Sequence, residues 1–287
     1  MTQFSDRTLT DAVLKSLDAT EDRRLREVVS GLVRHLHGFI REVAPTEAEW
    51  NAGMRFLAEA GWMCDDRRQE FNLLSDILGA TMMVDYVNHR APDGASESSV
   101  LGPFYREGAE VMAAGSNISR DGLGEPLIVS GRVSDLARQP IEGAVLDVWQ
   151  TSPLGLYENQ DPEQPEMNLR GKFVTDEGGR YRFRTVRPSS YPIPHDGPAG
   201  RLLRALGRHP YRPAHIHFVI SAEGYAPLTT QLFVSGDEYL DSDAVFGVKN
   251  ALIVDLRRHE SEDEARRLEV NAPLYTVEYD FALRPAA

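Results

Sequence analysis

The chain has one cysteine, Cys64, among 287 residues, and this scarcity limits how it can be stabilised and what it can bind. A single cysteine cannot build an internal disulfide framework or a thiolate cluster, so any metal must be held by His, Tyr, Asp or Glu. Long apolar runs are also lacking, since no segment approaches the roughly 18 apolar residues of a membrane span. The start, MTQFSDRTLTDAV, lacks the basic and apolar regions of a signal peptide, which predicts a cytoplasmic protein with no membrane partner.

Basic residues are scarce relative to acidic ones, 31 against 44, which gives a formal net charge of −13. Nucleic acids are held mainly through lysine and arginine contacts to phosphate, so this balance predicts no nucleic-acid partner. Small molecules are the expected partners instead. The overall sign says less about a small anion, because a few arginines in a pocket can outweigh distant surface charge.

The first 95 residues are predicted to be helical. Apolar residues in segment 26–43, REVVSGLVRHLHGFIREV, recur at spacings of three and four and so form one stripe along a helix. Pro45 ends that helix, and Thr46 followed by Glu49 has the spacing of a capping box that opens the next. Segment 70–90, EFNLLSDILGATMMVDYVNHR, predicts a third helix.

Residues 96–287 contain short predicted strands separated by Gly, Pro and Asp. This pattern predicts a mainly β fold in which a β-sandwich domain follows the helical N-terminal region. The predicted strands are LIVSGRVSD (127–135), GAVLDVWQT (143–151), GRYRFRTV (179–186), AHIHFVIS (214–221) and LTTQLFVSG (228–236). A long connection, residues 191–213, interrupts them, with a short helix expected at RLLRALG. Long ordered connections in compact domains are often functional.

His215 and His217 occupy alternate positions of a predicted buried strand, so they share one face while Ile216 and Phe218 share the other. Two imidazoles on one face admit two interpretations, hydrogen-bonded core histidines or half of a metal site. Taken alone, a His-x-His pair is more often structural. The metal interpretation depends on finding further ligands.

Those further ligands must supply anionic oxygen to balance the charge of a hard ion. Glu223 lies six residues after His217 and suggests a cupin-like Fe(II) site, but that spacing is longer than the cupin motif has. Tyrosine phenolates are the other choice, because a strong Lewis acid such as Fe(III) displaces the phenol proton. Tyr157 and Tyr191 both follow predicted strands, in turn-rich segments from which side chains can reach inward.

The order of four segments, LYEN, SYPIPHDGP, RPAHIHF and TQLF, resembles the intradiol ring-cleavage dioxygenases, and the likeness extends over nearly the whole chain. That family holds a non-haem Fe(III) in each subunit between two tyrosines and two histidines. The resemblance implies that Tyr157 and His215 are the equatorial ligands and that Tyr191 and His217 are the axial ones.

The resemblance also implies which residues take part in catalysis with an aromatic diol or triol and O2. Arg212 matches the family arginine beside the reacting ring and would stabilise the charge that develops there. Gln231 matches a glutamine that lies just behind the iron ligands. Tyr191 would leave the iron and accept one of the two protons that the substrate loses, before oxygen is inserted between the two hydroxylated carbons.

The family divides according to ring substituents, so the wall of the substrate pocket should identify the substrate. By matching position, the wall comprises Leu73, Asp76, Val100, Leu101, Gly102, Pro103, Phe104, Ile193, Pro194, Arg212 and Val245.

Asp76 is the informative member of this wall. It is either a structural aspartate at a helix surface or terminus, or an acid that pairs with a third hydroxyl on the ring, since an unpaired acid in an apolar pocket is costly. LLSDILG together with SSVLGPFY is most similar to the branch that cleaves hydroxyquinol, benzene-1,2,4-triol, to maleylacetate. Cleavage of catechol or chlorocatechol to muconates is the alternative.

Two further expectations concern partners and rival functions. The resemblance implies a homodimer formed through the helices of residues 1–95, with a phospholipid in a tunnel between the subunits. A non-enzymatic interpretation also exists, because residues 126–187 resemble prealbumin-like binding modules that need no metal. Such a module would not explain Tyr191, Arg212, His215 and His217 together.

Overall fold

The computed structural model describes residues 4–65, 68–90, 92, 94–267, 270 and 272–286. The helices of this part of the chain are α1 (Leu9–Ser16), α2 (Arg23–Val43), α3 (Glu47–Trp62), α4 (Glu70–Ile77), α5 (Ala80–Asn88), α6 (Pro198–Ala205) and α7 (Glu262–Arg267). Over these described residues, no helix combines the length and the apolar character that crossing a membrane requires.

The chain forms two compact units, Met1–Glu59 and Ala60–Ala287. The first unit holds α1, α2 and most of α3, and the second holds the other helices and the strands. The expected division into residues 1–95 and 96–287 falls inside the second unit and stays a prediction about domains.

The end of α2 and the beginning of α3 lie where the sequence predicts, whereas α1 was not predicted. Asp22 caps α2, since its carboxylate accepts a hydrogen bond of 3.0 Å from the Leu25 amide. Glu49 accepts from the Thr46 amide at 2.8 Å while the Thr46 hydroxyl accepts from the Glu49 amide at 3.3 Å, so the predicted capping box is present. No residue of α2 is buried, although the helix carries the predicted apolar stripe.

The third predicted helix is wrong in one respect, because segment 70–90 forms two helices rather than one. Gly79 lies between α4 and α5 with φ +71°, a left-handed conformation that glycine adopts without steric cost and that ends a helix. The break lets the Thr81 hydroxyl fold back and donate to Asp76 Oδ1 at 2.5 Å. Asp76 therefore sits near the end of α4 with its carboxylate held from the next helix.

The strands form a sandwich, as the sequence predicts. Their bounds are β1 (Pro126–Asp135), β2 (Val145–Gln150), β3 (Arg170–Val174), β4 (Arg180–Val186), β5 (Tyr191–Pro192), β6 (Tyr211–Arg212), β7 (His215–Ser221), β8 (Leu228–Val234), β9 (Ile253–Val254), β10 (Arg257–His259), β11 (Leu274–Glu278) and β12 (Phe281–Leu283). One five-stranded sheet has the order β10-β11-β1-β12 with β4 paired to β1, and the other has the order β3-β2-β7-β8-β9. Seven of these strands were not predicted from the sequence, namely β3, β5, β6, β9, β10, β11 and β12.

The core lies between the two sheets and fixes which face of β7 points away from it. Ile216, Phe218 and Ile220 of β7 belong to one buried apolar cluster with Val129 of β1 and Phe183 of β4. Because successive strand residues alternate, His215 and His217 must lie on the other face of β7. The packed apolar face therefore anchors the strand and holds the two imidazoles in place.

The long connection between β4 and β7 is ordered by two short strands and a helix. β5 pairs with β6 so that Tyr191 lies opposite Arg212. Between them α6 covers residues Pro198–Ala205, slightly earlier than the predicted RLLRALG segment. The connection thus places Tyr191 beside Arg212, which lies three residues before the start of β7.

Candidate metal centre

Four predicted ligands converge on one buried point next to β7. His215 Nε2 lies 3.0 Å from His217 Nε2, which lies 3.1 Å from the Tyr157 hydroxyl. The Tyr157 and Tyr191 hydroxyls are 3.2 Å apart. All four side chains are at most 3% exposed. Residues far apart in the sequence therefore present two nitrogen and two oxygen donors to the same small volume.

The imidazole of His215 is oriented by its backbone. Its Nδ1 lies 2.7 Å from the Pro213 carbonyl oxygen, so Nδ1 carries the proton and Nε2 presents a lone pair to the other donors. Burial and the neighbouring Arg212 charge lower the pKa of His215 to about 3, which keeps the ring neutral. A neutral imidazole with one nitrogen fixed by a carbonyl is the usual form of a metal-binding histidine.

His217 is held by ring stacking rather than by a hydrogen bond to its second nitrogen. Trp149, opposite it on β2, stacks on its ring with centroids 4.6 Å apart and planes 10° from parallel. Its Nδ1 is buried and has no hydrogen-bond partner among the described residues. Burial, followed by the proximity of His215, lowers the pKa of His217 well below its ordinary value, so this ring is also neutral.

The loop at residues 101–104 covers the same imidazole with a glycine. Gly102 has φ +77°, and a Cβ built on it would lie 3.2 Å from His217 Cε1. Backbone conformation and lack of space both favour glycine at this position. The close approach brings the LGPF segment directly over the ligand face.

The two tyrosines are packed against aromatic rings and shielded from water. Phe104 stacks on Tyr157 with centroids 4.5 Å apart, and the Tyr157 and Tyr191 rings meet edge to face at 5.5 Å. Burial raises the pKa of Tyr191, and burial together with Tyr191 raises the pKa of Tyr157 well above its ordinary value. Both phenols thus stay protonated unless a strong Lewis acid displaces the proton.

This donor set fits a hard trivalent ion. The mutual separations near 3 Å are those of neighbouring donors that lie about 2.1 Å from one shared ion. Across the described residues there is no group of three or more His, Cys, Asp or Glu that could hold a metal, so an ion bound by the two histidines would take the phenols as its further ligands. Glu223 is exposed and lies beyond the end of β7, which contradicts the cupin-like alternative.

Arg212 lies beside these donors and is itself buried. Its Nη1 is 3.1 Å from His215 Nε2, and its Nη2 donates to Gln231 Oε1 at 2.8 Å. Asp243 accepts from Arg212 Nε at 3.0 Å and from Nη2 at 3.1 Å. Burial would lower the pKa of the guanidinium, but the charge of Asp243 and the neighbouring Tyr191 outweigh it and raise that pKa. The structure thus brings Arg212 and Gln231 together beside the four donors.

Asp243 was missed by the sequence analysis, although it holds the only carboxylate bonded to Arg212 among the described residues. Burial alone would raise its pKa, but the Arg212 charge and hydrogen bonds hold that pKa below its ordinary value. The segment DSDAVFGV offered only Val245 as a wall residue, and Asp243 stands two positions before it. An aspartate in a turn-rich segment gives no signal of a buried ion pair 31 residues away.

Several predicted wall residues line one cleft of about 580 Å³, namely Leu73, Pro103, Phe104 and Pro194. Gln160 also lines this cleft, and its side-chain oxygen accepts from the Tyr157 amide at 3.1 Å. Phe104, which lines the cleft, stacks on Tyr157, so the cleft lies next to one of the four donor residues. Its volume suits a small aromatic ring.

The remaining wall residues are less uniform. Val100, Ile193 and Val245 are buried, and the Val100 carbonyl accepts from Gln231 Nε2 at 2.5 Å. Leu101 is 41% exposed, and among the described contacts its side chain makes none with the four donor residues.

Asp76 is 8% exposed and lies near enough to Arg212 for their charges to interact. Burial raises the pKa of Asp76, while the Thr81 hydroxyl and the Arg212 charge oppose that shift. A buried carboxyl with one protein partner on one oxygen is suited to accept or donate a further hydrogen bond.

Comparisons with known proteins agree with this geometry. Residues 100–285 match the family model described as Dioxygenase, and residues 22–96 match the one described as Catechol dioxygenase N terminus. A hydroxyquinol 1,2-dioxygenase of Rhizobium sp. (strain MTP-10005) is 48% identical over 98% of this chain and 96% of its own.

Solved structures are similar over nearly the whole chain. The hydroxyquinol 1,2-dioxygenase of Pseudomonas putida DLL-E4 has a TM-score of 0.92 and 46% identity, and covers 98% of this chain and 99% of its own. The catechol 1,2-dioxygenase of Acinetobacter radioresistens has a TM-score of 0.87 and 30% identity, and covers 100% of this chain and 95% of its own. On the family models, the relatives and the fold together, the chain belongs to the intradiol ring-cleavage dioxygenase family.

Proposed function

We propose that this protein is an Fe(III)-dependent hydroxyquinol 1,2-dioxygenase that works in the cytoplasm. It would cleave benzene-1,2,4-triol between its adjacent hydroxylated carbons and add both atoms of O2, giving maleylacetate. The observation that carries the proposal is the convergence of Tyr157, Tyr191, His215 and His217, with donor atoms 3.0–3.2 Å apart, beside Arg212. The names of the similar proteins support the choice of substrate.

One Fe(III) per subunit would be held by Tyr157, Tyr191, His215 and His217. When bound, this ion supplies the Lewis acidity that ionises the two adjacent hydroxyls and couples the electron-rich ring to O2. The Tyr191 oxygen is the group of this chain that is placed to take up one substrate proton, because it lies among the donors and opposite Arg212 in the β5–β6 pair. A phenol with a raised pKa holds that proton firmly.

The surroundings of the donors orient the substrate and exclude water. Phe104 and Trp149 cover Tyr157 and His217 with aromatic rings, which lowers the local dielectric. In such a site the fixed N–H groups of Arg212 stabilise developing negative charge much more strongly than in water. Asp76 is buried and lies near enough to Arg212 for their charges to interact, so its carboxyl is suited to a hydrogen bond with the third hydroxyl of the triol, which catechol lacks.

The competing functions make different demands on the site. Catechol 1,2-dioxygenase activity, the alternative within the same reaction class, would need the same donors but no partner for a third hydroxyl. A prealbumin-like binding module accounts for the strands of residues 126–187 but gives no reason for four buried donors to converge.

Turnover measurements on purified, iron-replete protein test the proposed substrate. We expect oxygen uptake at saturation to be faster with hydroxyquinol than with catechol, and mass spectrometry to find both oxygen atoms of ¹⁸O2 in the product. Faster turnover of catechol would overturn the choice of substrate while leaving the reaction class in place. No oxygen uptake with either diol would overturn the proposed function.

A visible spectrum tests the ligand set separately. Phenolate bound to Fe(III) gives a charge-transfer band that colours a protein red to burgundy, whereas an Fe(II) site or a metal-free module would be nearly colourless. The variants Tyr157→Phe and Tyr191→Phe should each shift or bleach the band. A band that is unchanged in both variants would contradict the assignment of the tyrosines.

We also propose that the protein is a homodimer formed through its N-terminal helices, with a phospholipid between the subunits. The support is a stripe of large apolar side chains on α2 that are each at least 41% exposed, namely Leu25, Val28, Leu32, Leu36, Phe39 and Val43. Monomeric proteins rarely leave such a continuous apolar face in water. Organic extraction followed by mass spectrometry should find acyl chains, and their absence would remove the lipid from the proposal.

A further inference from the structure

Asp243 is a buried carboxylate that touches none of the four donor atoms yet holds the guanidinium beside them. We infer that Asp243 is a positioning residue for catalysis, which acts by fixing the orientation of Arg212. This inference rests on the proposed function. Its basis is a pair of parallel hydrogen bonds, from Arg212 Nε and Nη2 to the two carboxylate oxygens at 3.0 and 3.1 Å, with both side chains nearly inaccessible to water.

A further hydrogen bond on this side of the Arg212 guanidinium connects it to the strand β8. Arg212 Nη2 also donates to Gln231 Oε1 at 2.8 Å, and Gln231 Nε2 donates to the Val100 carbonyl at 2.5 Å. Gln231 stands opposite His217 in the β7–β8 ladder. Its amide is therefore fixed at both ends and cannot turn without losing a buried bond.

The Asp243 carboxylate is also held by two backbone amides of its own segment. Asp243 Oδ1 accepts from the Val245 amide at 3.2 Å, and Oδ2 accepts from the Gly247 amide at 2.9 Å. The Gly247 carbonyl in turn accepts from the Ser99 hydroxyl at 2.8 Å, one residue before Val100. Hydrogen bonds thus form a closed ring from Arg212 through Asp243, Gly247 and the 99–100 segment to Gln231 and back to Arg212.

This ring leaves one nitrogen of the guanidinium facing the reaction site. Nε and Nη2 are engaged by Asp243 and Gln231, whereas Nη1 points at His215 Nε2 from 3.1 Å. An ion held by His215 would use the lone pair that Nη1 now contacts. Nη1 would then be free to donate to the charge that develops on the substrate.

The ion pair with Asp243 also determines how Arg212 would contribute to catalysis. The negative charge of Asp243 balances the positive charge of Arg212, so the site gains an oriented N–H donor rather than an isolated positive charge. Preorganised donors of this kind matter most in the transition state, because they need no rearrangement at the moment of reaction. Loss of Asp243 should therefore lower kcat more than it weakens substrate binding.

The test compares Asp243→Asn with wild-type protein loaded with iron. Asn keeps the volume but cannot offer two acceptor oxygens to Arg212. We expect kcat for hydroxyquinol to fall about ten- to a hundredfold. We expect KM, the anaerobic dissociation constant of hydroxyquinol, the iron content and the charge-transfer band to stay within about twofold. Asp121→Asn, which removes a carboxylate bonded to Asn168 away from the site, is the matched control and should keep wild-type kcat.

A double variant shows whether Asp243 acts through Arg212. Because two residues that act as a unit are non-additive, Asp243→Asn should cause no further loss of kcat in an Arg212→Gln background. A second route covers the case in which Asp243→Asn does not fold. A Cβ at Gly247 would lie 2.8 Å from Arg212 Nη2 and 3.2 Å from Asp243 Oδ2, so Gly247→Ala should move the guanidinium relative to the carboxylate and lower kcat without removing either charge.

Four results would overturn the inference. They are an Asp243→Asn kcat within about twofold of wild type, a loss of iron or of the band in that variant, additive losses in the double variant, or a wild-type kcat in Gly247→Ala. A failure of the proposed function is recognised separately, because the wild-type protein itself would then consume no oxygen with hydroxyquinol or catechol.

Discussion

Gly102 has a left-handed backbone conformation and also lies close to His217, a proposed iron ligand. The effects of these two features on a substitution can be measured separately. Its φ is +77°, and a Cβ would lie 3.2 Å from His217 Cε1. Gly143 has φ +74° but nothing within 4 Å of the same added atom. Gly143 is therefore a matched control for the backbone effect alone.

We expect Gly102→Ala and Gly143→Ala each to lose about 1–2 kcal/mol of unfolding free energy, measured by urea denaturation of the metal-free protein. Only Gly102→Ala should also retain less iron during dialysis against a chelator, because the added methyl group would displace the buried imidazole of His217. Equal retention of iron by the two variants would contradict the importance of this contact.

Asp76 is the residue with which the choice between triol and catechol can be examined. If its carboxyl pairs with the third hydroxyl, Asp76→Ala should lower kcat/KM for hydroxyquinol by about ten- to a hundredfold, the loss expected for a buried hydrogen bond that involves a charged group. The kcat/KM for catechol, which has no third hydroxyl, should change much less. Equal losses with the two substrates would show that Asp76 only supports the fold through Thr81.

Among individual residues, the sequence indicated the four donor residues but not the residue that holds Arg212 beside them. Tyr157, Tyr191, His215 and His217 stand in distinctive segments, so the family resemblance indicated them before any geometry was known. Asp243 had no such signal, because its role follows from tertiary contact with Arg212 and a turn aspartate is ordinary. The role of the four donors as iron ligands stays a prediction that the spectrum tests.

At the scale of elements, local patterns predicted the strands with regular alternation and missed those defined by distant pairing. The strand β7 and its neighbour β8 lie within one or two residues of their predicted ends. By contrast β11 and β12 run parallel to β1, about 150 residues earlier in the chain, and parallel pairing has no local turn signal. The break between α4 and α5 was missed because the apolar pattern continues across Gly79.

One element-scale contact ties α5 to the segment that carries Asp243. Lys249 Nζ, on a side chain 8% exposed, donates to Asp85 Oδ2 of α5 at 2.9 Å and lies 3.3 Å from a Glu97 carboxylate oxygen. We expect Lys249→Met to lose about 1–3 kcal/mol of unfolding free energy at pH 7, because it leaves the Asp85 carboxylate with fewer partners. Arg24→Met, which removes the exposed pair with Glu27, should lose less than about 1 kcal/mol.

The same pair has a predictable dependence on pH. Burial would raise the pKa of Asp85, but hydrogen bonds from Lys249, Ser98 and His89 outweigh it and lower that pKa. A carboxyl whose pKa is lower in the folded state stabilises the fold above the unfolded pKa of about 3.9, and this stabilisation is lost as the pH falls through the folded value. The difference between wild type and Lys249→Met should therefore be constant above about pH 5 and shrink below about pH 4. A difference that grows on acidification would contradict this account.

For the molecule as a whole, the single cysteine excluded an internal disulfide framework, and the sandwich follows from two sheets that share one apolar cluster. The N-terminal unit does not follow the same rule, since α2 buries none of its residues within one chain. A helix with a pronounced apolar face and no buried residue needs another surface to cover that face. The sequence could predict the stripe from the spacing of its apolar residues, whereas the surface that would cover it in the proposed dimer is not defined by that spacing.

The proposed dimer gives a definite expectation for that stripe. Leu32 lies in its middle and is 63% exposed, while Arg34 lies on the opposite side of α2, two residues on and therefore about 200° around the helix. Burial of one leucine contributes about 1.5–3 kcal/mol, and a glutamate in its place would have to lose its hydration instead. Sedimentation should therefore find twice the 32.0 kDa chain mass for wild type and for Arg34→Glu, but mostly single chains for Leu32→Glu at micromolar concentration. Because the proposed iron donors all belong to the second compact unit, Leu32→Glu should keep the charge-transfer band. A wild-type protein that sediments as a single chain, or a Leu32→Glu variant that stays paired, would show that α2 does not form the dimer.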